Sequence, residues 1–324
     1  AGIERFQTPP EHGFMIDLLE NSRLRIQQRL DQMKTAEERN RLGQFATPTQ
    51  LALELLECAK AVVPPRMPIR FLDPALGTGS FWSALLRVFP NHRIKSGLGY
   101  ELDFHFGRHA KELWESSGLD VQIADFTRAT PPEPDERPNL IVCNPPYVRH
   151  HHLHAEEKMR LIRRSNASAG VLLSGLSGLY VHFMCIAHEW MATSGYGFWL
   201  IPSEFMDVNY GRELKRYLLD RVSLLRIHRF DPCDLQFSDA LVSSAVVIIR
   251  NRPPDRDHQV EFTYGGSLVA PTMRRHVLAQ HLRSEAKWTR FPSAEGRVGQ
   301  PTRLRLGDLF AIKRGLATGA NDFF

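Results

Sequence analysis

The chain has no apolar run approaching the ~20 residues that cross a bilayer as a helix. Its opening, Ala1-Gly2-Ile3-Glu4-Arg5, lacks the apolar stretch of a secretory signal. Neither a membrane span nor export is expected, and a cytoplasmic location is. Cysteine is scarce: Cys58, Cys143, Cys185 and Cys233 are far apart, with no C-x-x-C pair. That argues against a disulfide framework and a cysteine zinc site, and suits a reducing compartment. Internal repeats and long low-complexity tracts are also absent, which removes solenoids and extended disordered tails. What remains is a folded globular protein, with 43% hydrophobic and 24% charged residues. Its 324 residues suffice for one large domain or two ordinary ones.

From residue 69 to 250, short apolar runs alternate with amphipathic stretches. Strands are expected at Ile69–Leu72, Ile94–Tyr100, Val121–Ala124, Leu140–Cys143, Phe198–Pro202, Leu224–Phe230 and Ser243–Arg250. Helices are expected between them, notably at Ser80–Phe89, Phe104–Ser117, Leu176–Ala192 and Gly211–Leu219. This alternation predicts an α/β fold, a doubly wound Rossmann-like sheet with helices on both faces. Residues 1–40 read as an N-terminal helical extension in which no chemistry is visible. Residues 41–252 read as the catalytic domain, and 253–324 as a basic connector opening a further domain. Within 273–314, ten Lys and Arg face only Glu285, Glu295 and Asp308. Such a run is more often a solvated face, but it tips the reading towards a polyanionic partner. The chain starts without Met and ends on Phe323-Phe324, which reads as a piece of a longer protein.

Several strand ends carry polar residues that packing does not require. Asn144-Pro145-Pro146-Tyr147 follows the strand Leu140–Cys143. The prolines end the strand, so Asn144 sits at its C-terminal mouth, where open α/β sheets place ligands. Its amide offers donors and an acceptor, and Tyr147 a flat face, together suited to a planar ring bearing an amino group. Alone, an Asn-Pro-Pro is more often a simple turn; the upstream stretches shift that balance. Asp73-Pro74-Ala75-Leu76-Gly77-Thr78-Gly79 turns from strand to helix with glycines that let the backbone approach a ligand. It matches neither G-x-G-x-x-G nor G-x-x-x-x-G-K. Glu101 ends the next strand, where ribose hydroxyls are held, while Asp103 is expected to cap the following helix. Asp125-Phe126 ends the third, an acid and a ring suited to an exocyclic amine and its base. Thr47-Pro48 is expected to cap a helix starting near Thr49. His150, His151, His152 and His154 invite a metal, but adjacent residues in a loop do not converge on one ion, so no metal is assigned and Arg149 is read as a phosphate contact.

Gly43 to Pro48, the glycine loop, Glu101, Asp125-Phe126 and Asn144-Pro145-Pro146-Tyr147 occur in an order and spacing that resembles a known family. It is that of the S-adenosylmethionine-dependent DNA adenine-N6 methyltransferases of restriction–modification systems, in the gamma-type order, and within them the Eco57I-type and TaqI-like enzymes. The resemblance covers about residues 40 to 250 and extends weakly to Gly315–Asn321, which is similar to the start of a target-recognition domain. It implies S-adenosyl-L-methionine as cofactor, with Phe45 and Thr47 near its methionine part and Asp73, Ala75, Gly77 and Gly79 in the cofactor loop. Glu101 would hold the ribose, Asp125 the cofactor's adenine N6 and Phe126 its ring. Asn144, Pro145, Pro146 and Tyr147 would be catalytic, with Tyr147 and, more loosely, Phe237 stacking on a flipped target base. Tyr180 lies in the next motif. Double-stranded DNA is the implied substrate and a restriction endonuclease an implied partner in the same system.

The chemistry is consistent with these residues. An adenine amino group is a poor nucleophile because its lone pair is delocalised. Acceptors on both its hydrogens draw the nitrogen towards tetrahedral geometry, and direct transfer then needs positioning rather than a covalent intermediate. Cys143 precedes Asn144 on the strand and is not read as a nucleophile. Other readings stay open. Protein glutamine-N5 methyltransferases share the Asn-Pro-Pro-Tyr motif, cytosine-N4 methylation ranks below them, and a non-catalytic fragment that binds DNA or cofactor is a separate class.

Overall fold

The computed structural model describes residues 10–231, 236, 243–292 and 309–311. The chain divides into two compact units, Ala1–Pro292 and Ser293–Phe324, and of the second only 309–311 are described.

The first unit is built on a nine-stranded sheet in the order β3-β2-β1-β4-β5-β7-β6-β8-β9. The strands are β1 (Ile69–Asp73), β2 (Ile94–Glu101), β3 (Leu119–Ile123), β4 (Leu140–Cys143), β5 (Tyr196–Pro202), β6 (Ser223–Arg229), β7 (Ser244–Arg250), β8 (Gln259–Gly266) and β9 (Pro271–Leu278). The five from β3 to β5 run parallel, β7 is antiparallel to both β5 and β6, and β8 and β9 form an antiparallel pair at the far edge. β4 shows why the centre holds. All four of its residues are buried; Leu140 and Val142 enter one core, and Ile141 and Cys143 the other. A strand covered on both faces must be apolar throughout.

On one face lie α1 (Pro10–Gln32), α3 (Thr49–Val62), α4 (Ser80–Val88) and α5 (Phe104–Trp114), whose buried members include Ile16, Leu55, Leu85 and Trp114. On the other lie α6 (Ala155–Ala169), α7 (Leu179–Trp190), α8 (Arg212–Asp220) and α9 (Ala279–Ser284), with Leu161, Trp190, Leu218 and Leu282 inside. The short α2 (Ala36–Leu42) has a complete capping box, Thr35 with Glu38, and ends at Gly43 in the left-handed region. Sequence order reverses on either side of the β1–β4 pair, and the mouth there is the switch point at which such sheets bind ligands.

The alternation expected from 69 to 250 is present, with ends displaced by a few residues. Asp103 caps α5, accepting from the His105 and Phe106 amides. The segment after His154, for which no element is expected, forms α6. The sheet also passes position 252 without a break, since β8 pairs with β6. Among the described residues no helix is long and apolar enough to cross a membrane.

Candidate functional site

Asn144 follows the last residue of β4 and is half-buried. Its Nδ2 donates to the Phe45 carbonyl at 3.0 Å and to the Thr47 hydroxyl at 3.1 Å. A carbonyl can only accept, so the amide nitrogen must face Phe45 and the oxygen must point the other way. That oxygen, Oδ1, is buried and has no hydrogen-bond partner. A buried acceptor left unpaired costs stability, about 1–3 kcal/mol, and such an atom calls for a ligand-side explanation. The expected capping by Thr47 is corrected here. Pro48 is the N-cap of α3 without a side-chain cap, and the Thr47 hydroxyl orients Asn144 instead.

The 43–47 loop and the Asn-Pro-Pro-Tyr segment are built against each other. The Tyr147 amide donates to the Gly43 carbonyl at 3.2 Å, and a Cβ on Gly43 would lie 2.3 Å from the Tyr147 nitrogen. With φ at +63°, Gly43 meets both conditions as other residues cannot. Tyr147 is 8% exposed, its hydroxyl donates to the Leu200 carbonyl at 3.1 Å, and its ring tilts against Phe45 at 5.6 Å. Burial pushes its hydroxyl pKa far up.

At the end of β1, Asp73 is 1% exposed and accepts from the Ala75 amide at 3.1 Å. Burial pushes its carboxyl up to about 8, and the neighbouring Glu101 adds to the rise. Gly79, at φ +88°, turns the chain into α4 with the Trp114 indole so close that a Cβ would meet its nitrogen at 2.4 Å. Glu101 at the end of β2 accepts from the Gly77 amide at 2.7 Å and the Asp103 amide at 2.8 Å. Burial raises its pKa as well. Asp125, at the mouth of β3, accepts from the Thr127 amide and hydroxyl at 2.8 and 2.7 Å and pairs with Arg128 at 3.1 Å. Phe126 is buried among Tyr100, Phe183 and Trp190. Cys143 is fully buried, and burial beside Asp73 raises its pKa well above the usual thiol range, which leaves no reactive thiolate.

These strand mouths enclose a cavity of about 440 Å³, within the range of small-molecule sites. Phe45, Ala75, Gly77, Glu101, Asp125, Phe126, Asn144 and Pro146 all border it. A narrower recess of about 40 Å³ continues at the glycine loop, bordered by Thr47, Asp73 and Asn144. Pro145, Tyr147 and Gly79 do not line either one. Tyr180, 2% exposed, packs in the core, and Phe237 lies outside the described residues. His150 to His152 form a turn in which the rings lean on each other, His151 and His152 at 4.1 Å. The sequence reading missed Gln27 and Asp31 of α1 in the cavity wall, together with Tyr100, Phe106, Leu153, Leu179 and Phe183. The repeat of Arg23, Gln27 and Asp31 at every fourth position was the available signal.

The walls suit a nucleoside carrying an amino-acid arm. Tyr100, Phe106 and Phe126 offer apolar surface for a base and Glu101 a carboxyl suited to hydroxyls, while Asn144 borders the recess at the glycine loop. Fold and cavity together are similar to those of class I methyltransferases, which use S-adenosyl-L-methionine. Residues 107–235 match the Eco57I restriction-modification methylase family. Type II methyltransferase M.XamI from Xanthomonas campestris pv. amaranthicola is 27% identical over 288 residues, 87% of this chain and 53% of that protein. Type II methyltransferase M.AccI from Acinetobacter calcoaceticus is 23% identical over 303 residues, 89% of this chain and 54% of that protein. A putative class I S-adenosylmethionine-dependent methyltransferase from Listeria monocytogenes shares the fold, with a TM-score of 0.60 at 13% identity, covering 84% of this chain and 77% of its own. The chain is thus similar to restriction–modification methyltransferases, and it spans about half the length of the curated relatives it matches.

Proposed function

We propose that this chain transfers a methyl group to N6 of an adenine swung out of double-stranded DNA, within a restriction–modification system of the cytoplasm. The carrying observation is the buried, unpaired Oδ1 of Asn144, its orientation fixed because Nδ2 is committed to Phe45 and Thr47. An acceptor fixed in advance stabilises an amino group in its reactive geometry without reorganisation. Asn144 Oδ1 and the Pro145 carbonyl take the two amino hydrogens, and the nitrogen lone pair turns towards the cofactor cavity. S-adenosyl-L-methionine supplies the electrophilic methyl on its sulfonium. The new bond is nitrogen to carbon, the broken one carbon to sulfur, and the surplus N–H proton leaves to solvent. Neither Cys143 nor a covalent adduct is used.

Glu101 is assigned to the ribose hydroxyls, Asp125 and Phe126 to the cofactor's adenine, and Phe45, Thr47, Asp73, Ala75, Gly77 and Gly79 to the methionine side. Pro146 borders the cavity beside Asn144 and keeps the segment extended. Tyr147 and Phe237 are assigned to the target base. Stacking offsets part of the few kcal/mol needed to unstack it, and the Leu200 hydrogen bond fixes the Tyr147 ring. Residues 41–252 are assigned to catalysis, 1–40 to a helical extension and 253–324 to a connector leading to target recognition. A restriction endonuclease is the proposed partner in the system.

The test incubates the chain with methyl-labelled S-adenosyl-L-methionine and DNA, then identifies the product nucleoside by mass spectrometry. N6-methyl-2′-deoxyadenosine is expected, and Asn144→Ala should slow its formation by about a hundredfold or more while calorimetric cofactor affinity survives. Label appearing in a glutamine-bearing protein instead would transfer the site to amide methylation, and N4-methylcytosine would overturn the choice of base.

A further inference from the structure

Helix α1 carries Arg23, Gln27 and Asp31 at i, i+4 and i+8, so all lie along one face. Arg23 is 1% exposed and latched: its guanidinium spans the Glu20 carboxylate at 2.6 and 2.8 Å and reaches Thr49 at 3.1 Å and Thr78 at 3.2 Å. One turn on, Gln27 borders both the main cavity and the recess shared with Asn144, Thr47 and Asp73. Its Oε1 accepts from the Thr78 hydroxyl at 2.8 Å, and its Nε2 donates to Asp31 Oδ1 at 2.9 Å. The second hydrogen on Nε2 is not used by either bond. Asp31 borders the main cavity next to Gln44 and Asp103.

The sulfonium methyl must be delivered at Asn144, so the cofactor's sulfur lies near the recess, and its amino-acid arm extends from that same sulfur. The arm is a zwitterion: its carboxylate needs donors and its ammonium needs acceptors. Neither Lys nor Arg is among the residues bordering either cavity, and nearby Lys34 is committed to Asp103 at 2.5 Å and Gln44 at 2.7 Å. The carboxylate must therefore use neutral donors. We propose that Gln27 and Asp31 of α1 bind this arm, Gln27 Nε2 donating to its carboxylate and Asp31 accepting from its ammonium. The N-terminal helix is then a working part of the cofactor site, its register fixed by Arg23. This rests on S-adenosyl-L-methionine as cofactor and is independent of which acceptor is methylated.

Calorimetry with three probes tests it: S-adenosyl-L-methionine, S-adenosyl-L-homocysteine and 5′-methylthioadenosine, which keeps the nucleoside but lacks the arm. Gln27→Ala and the isosteric Asp31→Asn should each weaken the first two by about tenfold, the value of one charge-assisted hydrogen bond. Affinity for 5′-methylthioadenosine should not change. Equal weakening of all three would show a scaffold effect and overturn the proposal, as would no weakening at all. Failure of the wild-type chain to bind any of the three removes the cofactor assignment itself. Wild-type binding with unaltered variants removes only the role of α1.

Discussion

Two acids at the strand mouths, Asp73 and Glu101, are held in surroundings that disfavour their charge. Asp73 is pushed up to about 8, burial being the largest cause, and Glu101 is raised in the same direction for the same reason. In an unfolded chain Asp titrates near ~3.9. Below that value both states are protonated and the group's contribution to stability is complete. Between ~4 and about 8 the unfolded chain releases a proton that the folded one keeps, so stability falls as pH rises, by up to ~1.4 kcal/mol per pH unit. Above about 8 the contribution is gone. Asp73→Asn keeps an acceptor for the Ala75 amide and removes the ionisation. The variant should melt higher than the wild type at pH 8, and its melting temperature should change less between pH 6 and 8. Parallel melting curves for the two proteins across that range would show that Asp73 is not held protonated. Asn144 is the opposite case, a neutral group whose buried oxygen stays ready without any charge to titrate.

Helix α1 is fastened by a buried ion pair instead of by a broad apolar face. Glu20 and Arg23 are nearly inaccessible, with side-chain exposures of 4% and 2%. Burial drives the Glu20 carboxyl up, but bonds from Arg23 and Thr49 and the Arg23 charge outweigh it and hold the pKa below the usual value. Removing one partner strands the other, which costs about 3–5 kcal/mol, whereas replacing both by apolar residues is often close to neutral. Arg23→Met should therefore lower the urea midpoint markedly, and Glu20→Leu with Arg23→Met should restore most of it. A double variant no more stable than the single one would mean that the pair is not what docks the helix. This arrangement also shows which features could be read in the sequence. The central strands were legible because burial on both faces makes them continuous apolar runs, as in Leu140–Cys143, and α4, α5, α7 and α8 because their apolar residues recur at helical spacing. The acids at the strand mouths were legible because packing gives them no reason to be there. The orientation of Asn144 was not, because it depends on Phe45, 99 residues away. Gln27 and Asp31 escaped notice because on a charged helix they look like solvent-facing residues until α1 is laid across the glycine loop. The β8–β9 pair was hidden by its edge position, where Thr272, Met273 and Arg274 are exposed and β9 lacks an apolar alternation.

At the scale of the molecule, the charge run of 273–314 crosses the boundary between the two compact units. Within the first compact unit, several are already engaged: Arg274 pairs with Glu261 at 2.7 Å, Arg283 with Asp220, and Arg290 with Glu285 at 3.1 Å. Glu261 is also paired with Arg226, which makes this edge of the sheet internally compensated. Of the other seven basic residues, Arg275 and Lys287 also lie in the first unit, and Arg297, Arg303, Arg305, Lys313 and Arg314 belong to the second. If this run meets DNA, the cations already paired in the first unit contribute least. Each phosphate neutralised releases counterions, so the logarithm of the binding constant falls with the logarithm of salt by roughly 0.9 per contact. Arg297→Gln, Arg303→Gln and Arg305→Gln together should flatten that slope by about 3 for duplex DNA. Arg274→Gln, a change of equal sign on a cation already spent on Glu261, should leave the slope as it was. The comparison needs only anisotropy titrations at several salt concentrations. A wild-type slope near zero would return the whole run to being a solvated face, and equal effects from both sets would show that pairing with Glu261 does not withhold Arg274 from DNA.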